Sequence, residues 1–305
     1  MMSLRIGLVG LGTIARAQHL PAIAATDGID LCAVASRNAT ADVQSYTNIH
    51  TMLAIEPSLN AITLCTPPQG RFEQAMAALE SGRHLMLEKP PGATLSELDA
   101  LRREAVRQGV TLFATWHSRE AAAVPFVRSW LAGKTIRSIH IDWREDVRKW
   151  HPGQEWIWQA GGLGVFDPGI NALSILTALV KDVLMTKADL YVPIGRQTPI
   201  AADLVMKSGS TPITANFDWR ETGDEFWRIT FETTEGTLVL DQGGAFASID
   251  GVIVAQGENR EYAGLYARFR DLIAAGQSDV DLSPFTLVAD AFLSGAYHLT
   301  DPFTD

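Results

Sequence analysis

Cysteine is nearly absent: the 305 residues include only two, Cys32 and Cys65. Each lies in an apolar run, Leu31-Cys32-Ala33-Val34 and Ile62-Thr63-Leu64-Cys65. Both read as small buried thiols, and no disulfide framework is implied. That usage fits a reducing compartment. No run of 18 apolar residues occurs, so no membrane span is expected. A core-like strand starts at Leu4 and leaves no room for a signal peptide, so a cytoplasmic location is expected. Positive charge is in deficit: 25 Lys and Arg against 35 Asp and Glu give a formal net charge of −10. Such a surface repels phosphate polymers, which argues against a nucleic-acid partner. The seven histidines form no H-E-x-x-H or other paired spacing, and the two cysteines lie far apart, so no metal site is expected.

What is present is ordinary globular usage, with 47% hydrophobic and 20% charged residues. The length favours two domains. Apolar strands are predicted at Leu4–Val9, Ile29–Ala35, Ala61–Cys65, Leu85–Leu87 and Val110–Ala114. Helices are predicted between them, over 14–25, 71–81 and 96–108. This alternation specifies a parallel sheet covered on both faces. The pattern changes after about residue 120. Ile136–Lys149 reads as one long strand, followed by a Gly/Trp-rich loop and a helix over 162–180. Strand-like runs follow at 188–192, 213–220, 226–233, 237–241 and 245–249. Hairpin signals such as Thr234-Glu235-Gly236 make this sheet antiparallel. Helices over 262–275 and 285–297 close the chain.

Gly10-Leu11-Gly12-Thr13-Ile14-Ala15 joins the first strand to the first helix. Strand, glycines and helix in that order form the context that makes a dinucleotide fingerprint specific. Gly10 permits the tight turn, Gly12 lets the backbone approach a pyrophosphate, and Ala15 allows close helix–strand packing. Thr13 and Ile14 sit at the helix N-terminus, where unpaired N–H groups attract phosphate. The second strand ends Val34-Ala35-Ser36-Arg37-Asn38, without the acid that binds a ribose 2′-hydroxyl. Ser36 and Arg37 suit a 2′-phosphate instead, so the expected cofactor is NADP, with NAD use left open.

Four segments carry a family resemblance: Gly10-Leu11-Gly12, Cys65-Thr66-Pro67-Pro68, Leu87-Glu88-Lys89-Pro90-Pro91, and Gly161-Gly162-Leu163-Gly164-Val165-Phe166-Asp167-Pro168-Gly169-Ile170-Asn171. In order and spacing the chain resembles the glucose–fructose oxidoreductase/inositol dehydrogenase/MocA-like family. The resemblance implies an α/β chain: an N-terminal Rossmann domain (1–120) and a C-terminal α+β domain (121–305) with an open, mostly antiparallel sheet. It also implies cofactor contacts from Thr66, Pro67, Glu88 and Lys89, and a possible homodimer through the second sheet. Further segments, Thr115-Trp116-His117-Ser118-Arg119 and Trp143 through Gly153, resemble bacterial aldose 1-dehydrogenases acting on L-arabinose and D-galactose. That likeness implies oxidation of a sugar at C1 to a lactone.

Such a reaction moves a hydride from C1 and a proton from the C1 hydroxyl while the sugar is held in place. Lys89, past a strand end, would bind the C1 oxygen or accept the proton. Asp167 and Asn171, four apart, share a helix face. Many family members have His where this chain has Asn171. Asn cannot take up a proton, so the base is Asp167 or Lys89, and a bonded pair of these would titrate as a unit. His117, Glu145, Trp150, His151 and Trp219 complete the expected sugar contacts. Two other readings stay open: a related reductase acting on a polyol, dihydrodiol or keto sugar, and a non-catalytic NADP(H) sensor.

Overall fold

Apolar runs near the N-terminus pair into one parallel sheet. In the computed structural model, which describes residues 3–304, its strands are β1 (Leu4–Val9), β2 (Ile29–Ala35), β3 (Gln44–Tyr46), β4 (Ala61–Leu64), β5 (His84–Leu87) and β6 (Leu112–Ala114). They lie in the order β3-β2-β1-β4-β5-β6, with every pairing parallel. The chain runs outward from β1 to β3, then returns to the other side of β1 and continues to β6. The C-terminal ends of β1 and β4 therefore flank a topological switch point, where sheets of this Rossmann type bind ligands. All four residues of β4 are buried, as a strand covered on both faces requires.

The second sheet has nine strands: β7 (Ile136–Arg144), β8 (Val183–Pro193), β9 (Ala201–Ser208), β10 (Thr211–Asp218), β11 (Phe226–Thr233), β12 (Gly236–Asp241), β13 (Phe246–Ile249), β14 (Val252–Gln256) and β15 (Ala296–Thr300). Their order is β14-β13-β12-β11-β7-β10-β9-β8-β15. Only β7–β10 and β8–β15 pair in parallel, so the sheet is mostly antiparallel. Period-two alternation divides its faces. Ile139, Ile141 and Trp143 of β7 are buried on the side where helix Phe166–Leu179 packs on β7 and helix Ser283–Ser294 on β8. The other face is polar: Tyr191 and Asn216 both donate to Asp203, at 3.0 and 2.6 Å, and His140 meets Thr214 at 2.8 Å.

Several expected boundaries move. The strand predicted to reach Lys149 stops at Arg144, because Asp146 caps a short helix, Val147–Trp150, by accepting from the Arg148 N–H at 3.0 Å. The last helix ends at Ser294 instead of Tyr297, and Tyr297 lies in β15. Both cysteines are half-buried rather than core thiols.

The chain also crosses between its two compact units three times. One unit holds the described residues up to His117 together with Tyr262–Asp281; the other holds Ser118–Glu261 and the described residues from Leu282 onward. The region 121–305 is therefore not one uninterrupted domain. The cause is helix Glu261–Ala275, whose Tyr262, Leu265, Tyr266 and Phe269 fill the core beside β1 and β2. Among the described residues no helix is long and apolar enough to cross a membrane, and no His/Cys/Asp/Glu group is placed to hold a metal ion.

Candidate active site

In the first unit the glycine turn is built as its spacing demands. Gly10 has φ +91°, and a Cβ there would stand 2.8 Å from the Thr66 backbone nitrogen. Any other residue would be strained and would collide with the end of β4. A Cβ on Gly12 would meet nothing within 4 Å; it would point into a groove of about 570 Å³ lined by Leu11, Gly12, Thr13, Arg16 and Ala17. This open backbone, ending in exposed helix N–H groups, fits a dinucleotide pyrophosphate. Ala15 is buried and Ile14 exposed. The helix predicted from Ile14 begins as a π-helical stretch, Ala15–His19, before the α-helix Leu20–Ala25. Such wide turns recur at functional sites, and this one turns His19 into the core. At the end of β2, Ser36 is half-buried, with its N–H on the Tyr46 carbonyl at 2.8 Å, and Arg37 is exposed. A second guanidinium reaches this corner: exposed Arg16 donates to the Thr40 carbonyl at 3.2 Å. Sequence reasoning passed over Arg16, because a lone arginine on a helix carries no motif.

The ends of β4 and β5 are tied together by a buried cation. Arg71 Nε donates to the Thr66 carbonyl at 2.9 Å, and its Nη1 donates to the carbonyls of Glu88 and Pro90. Thr66 Oγ1 is held by Gln74 at 2.9 Å, and Pro67 is exposed beyond it. Half-buried Lys89 follows, joined to Pro90 by a cis peptide.

Glu88 departs from its expected part as a cofactor contact. Its carboxylate turns inward and is committed to protein partners: the Lys89 N–H, the Tyr262 hydroxyl at 2.6 Å, and His19 Nε2 at 3.4 Å. Burial would raise its pKa, but the His19 ring 3.4 Å away, with the charges of His117 and Lys89 nearby, holds it down at about 2. His117 stacks on the Tyr262 ring with centroids 5.3 Å apart. His19 and Tyr262 lie more than 170 residues apart from one partner or the other, and neither was expected at a site.

The second unit gathers the remaining candidates. Asp167 lies in the first turn of helix Phe166–Leu179, and Asn171 one turn on is half-buried. Asp167 is buried, with its Oδ2 3.1 Å from His151 Nε2; His151 Nδ1 meets Gln154 Oε1 at 3.3 Å. The carboxylate and the Gln154 amide, one on each ring nitrogen, fix the orientation of the imidazole. β7 and β10 end side by side, which places Glu145 next to Trp219. Trp219 Nε1 donates to Glu145 Oε1 at 3.1 Å and Trp227 Nε1 to Oε2 at 2.9 Å.

Trp219 is 0% exposed and offers no surface to a sugar. It and Glu145 are instead the wall behind His151, whose ring lies 5.2 Å from the Trp219 ring. Trp150 is 44% exposed, donates its indole N–H to Glu225 at 2.7 Å, and packs 5.8 Å from Trp227. Lys89 and His117 thus belong to the first unit, and the other candidates to the second. One offers a cation past the end of β5; the other offers a paired carboxylate, an amide and an exposed indole.

Comparison with known proteins is consistent with this division of labour. Residues 4–115 match the GFO/IDH/MocA group, an oxidoreductase family with an NAD-binding Rossmann fold. The chain is 44% identical to galactose 1-dehydrogenase of Pseudomonas fluorescens, covering 100% of both. It superposes on the crystal structure of a D-galactose-1-dehydrogenase protein from Rhizobium etli with a TM-score of 0.96 at 51% identity, covering 100% of this chain and 99% of that one. A 3-ketoreductase from Actinomadura kijaniata, solved with NADP, gives a TM-score of 0.86 at 17% identity over 98% of this chain and 99% of its own, a likeness of fold alone.

Proposed function

The chain belongs to the GFO/IDH/MocA oxidoreductase family, and from that premise we propose that it is a cytoplasmic, NADP-preferring aldose 1-dehydrogenase. Its substrates are D-galactose and the related L-arabinose and D-fucose, oxidised at C1 to the lactone. The observation that carries this reading is the full-length likeness to the Pseudomonas enzyme in a chain with Lys89, Asp167 and Asn171 in the motif positions. Ser36 and Arg37, with no acid at the end of β2, support the 2′-phosphate. Two cysteines without a disulfide fit a reducing compartment. The polar face of the nine-stranded sheet, with Tyr191, Asp203 and Asn216 on it, is the surface through which two copies would pair.

NADP, when bound, supplies the hydride acceptor. The protein's own groups do the rest. The Lys89 ammonium holds the C1 oxygen and stabilises negative charge as it develops there. Asp167, oriented by His151, takes the C1 hydroxyl proton. Asn171 and the exposed Trp150 indole orient the sugar, whose C–H faces suit an aromatic ring.

The test is a panel of free aldoses and cyclic polyols with each nicotinamide, followed by reduced-cofactor absorbance. D-Galactose and L-arabinose should react, faster with NADP⁺. Turnover with polyols alone would point to the related reductases, and no turnover with cofactor bound would point to the sensor. Lys89→Ala and Asp167→Ala should each lower kcat by about 10²-fold or more while NADPH binding survives. Ser36→Asp should move preference towards NAD⁺; an unchanged preference would show that the 2′-phosphate is read elsewhere.

A further inference from the structure

Four chain segments meet beneath Lys89. His19 comes from the π-helical turn after the glycines, Glu88 from the end of β5, Tyr262 and Tyr266 from helix Glu261–Ala275, and His117 from just past β6. All lie in the first unit. Glu88 is the hub, and its two oxygens have different work. Oε2 accepts the backbone N–H of Lys89 itself, so the set of the carboxylate fixes where the lysine side chain begins. Oε1 accepts the Tyr262 hydroxyl at 2.6 Å, and the ring so held is the one on which His117 stacks.

A buried carboxylate of this kind survives only with a cationic or well-bonded partner. His19 is that partner. It is 0% exposed, its Nε2 is 3.4 Å from Oε1, its Nδ1 is 2.8 Å from the Tyr266 hydroxyl, and its ring meets the Tyr262 ring edge-on at 4.9 Å. The titratable groups around the pair are Cys65, Lys89, His117, Tyr262 and Tyr266.

We propose that His19, Glu88 and Tyr262 form a buried clamp that positions Lys89 and His117 for the hydride-transfer reaction. The proposal rests on the role assigned to Lys89 above. The three are positioning residues: they act through the lysine main chain and the histidine ring and touch neither sugar nor cofactor. Burial lowers the affinity of His19 for its proton, while Cys65, Tyr266 and Glu88 around it raise its pKa above the ordinary imidazole value.

The experiment compares Glu88→Ala, Glu88→Gln, Tyr262→Phe, His19→Leu and Lys89→Ala in the full chain, with D-galactose and NADP⁺. Four quantities are read: kcat, KM, NADPH affinity by fluorescence, and hydrogen exchange of the Lys89 amide. Glu88→Ala should lower kcat about 10²-fold, the cost of a catalytic group displaced by an ångström, with KM and NADPH affinity little changed. Its Lys89 amide should exchange faster. Glu88→Gln keeps an acceptor oxygen for the Lys89 N–H and turns its NH2 towards the Tyr262 oxygen as a donor, so it should restore part of the rate and most of the protection. His19→Leu should lose activity on the acid side, because Glu88 then protonates at higher pH. Tyr262→Phe keeps the ring and removes only the hydroxyl, so it should lower kcat with KM unchanged even if Glu88→Ala does not fold.

Parent-like kcat in Tyr262→Phe and in Glu88→Ala, or in Tyr262→Phe alone where Glu88→Ala does not fold, with Lys89→Ala inactive, overturns the clamp alone. So does a loss that glutamine fails to rescue and that NADPH affinity shares. Parent-like kcat in Lys89→Ala overturns the underlying reading and the clamp with it.

Discussion

Glu145 keeps a carboxyl group in a place where water cannot reach it, at 6% exposure. Burial pushes its pKa up to about 7, against the pull of the Trp219 and Trp227 indole donors and the His151 ring. The consequence for stability has a definite sign. From about 4.5, where an ordinary glutamate ionises, to about 7, the folded chain holds a proton that the unfolded chain has released. Stability therefore falls as pH rises through that window and levels off above it. Glu145→Gln should remove this slope, worth roughly 3 kcal/mol across the window, as read from denaturant unfolding at a series of pH values. An unchanged slope would mean that Glu145 is already ionised at acid pH. Sequence reasoning chose Glu145 and Trp219 as sugar contacts. The structure bonds the two to each other and Glu145 also to Trp227, which lies 82 positions away with no local pattern to link them. The glycine turn was legible for the opposite reason: its signature falls within six consecutive residues, Gly10 to Ala15.

At the scale of elements, helix Phe166–Leu179 carries Asp167 and Asn171, and one glycine sets its height. A Cβ at Gly169 would stand 2.8 Å from the Phe217 ring of β10. The helix backbone therefore lies against the aromatic ring, and Gly169→Ala must lift it. The expected cost is about 1–3 kcal/mol, the usual penalty for overpacking, with a matching fall in Tm and in sugar turnover. A Tm equal to the parent's would mean that Phe217 yields without moving the helix. Five of the six strands of the first sheet were readable because they are short, apolar and bounded by helices; β3, the polar Gln44-Ser45-Tyr46, was not. β9 and β14 were not: Ala201-Ala202 blunts the alternation of one, and the other has exposed Val252, Ile253 and Val254 in succession, with no polar residue between them. The turn from β7 into helix Val147–Trp150 hung on a single cap, Asp146, inside a run that otherwise alternates like a strand.

For the whole molecule, the two-unit division was readable from the change in pattern near residue 120, but the return of Tyr262–Asp281 to the first unit was not. An amphipathic helix shows that it has an apolar face without showing which sheet that face covers. The structure supplies the answer: Leu265, Tyr266 and Phe269 are buried beside Ile6, Leu8 and Val34. A fragment comprising residues 1–120 should accordingly fail to unfold cooperatively or bind NADPH. Joining residues 262–281 to it through a flexible linker should restore both, as read by calorimetry and fluorescence. A cooperative, cofactor-binding fragment without that segment would refute the dependence.

That returning helix also imposes an order on biosynthesis. A ribosome finishes the strands of the first sheet when fewer than half of the residues have been joined. The side chains that close their core emerge only after β14 has been made. Until then the nascent chain presents an apolar seam beside β1 and β2, the kind of surface that chaperones shield and that aggregates when they do not. The nicotinamide half of the protein is thus translated first and completed among the last.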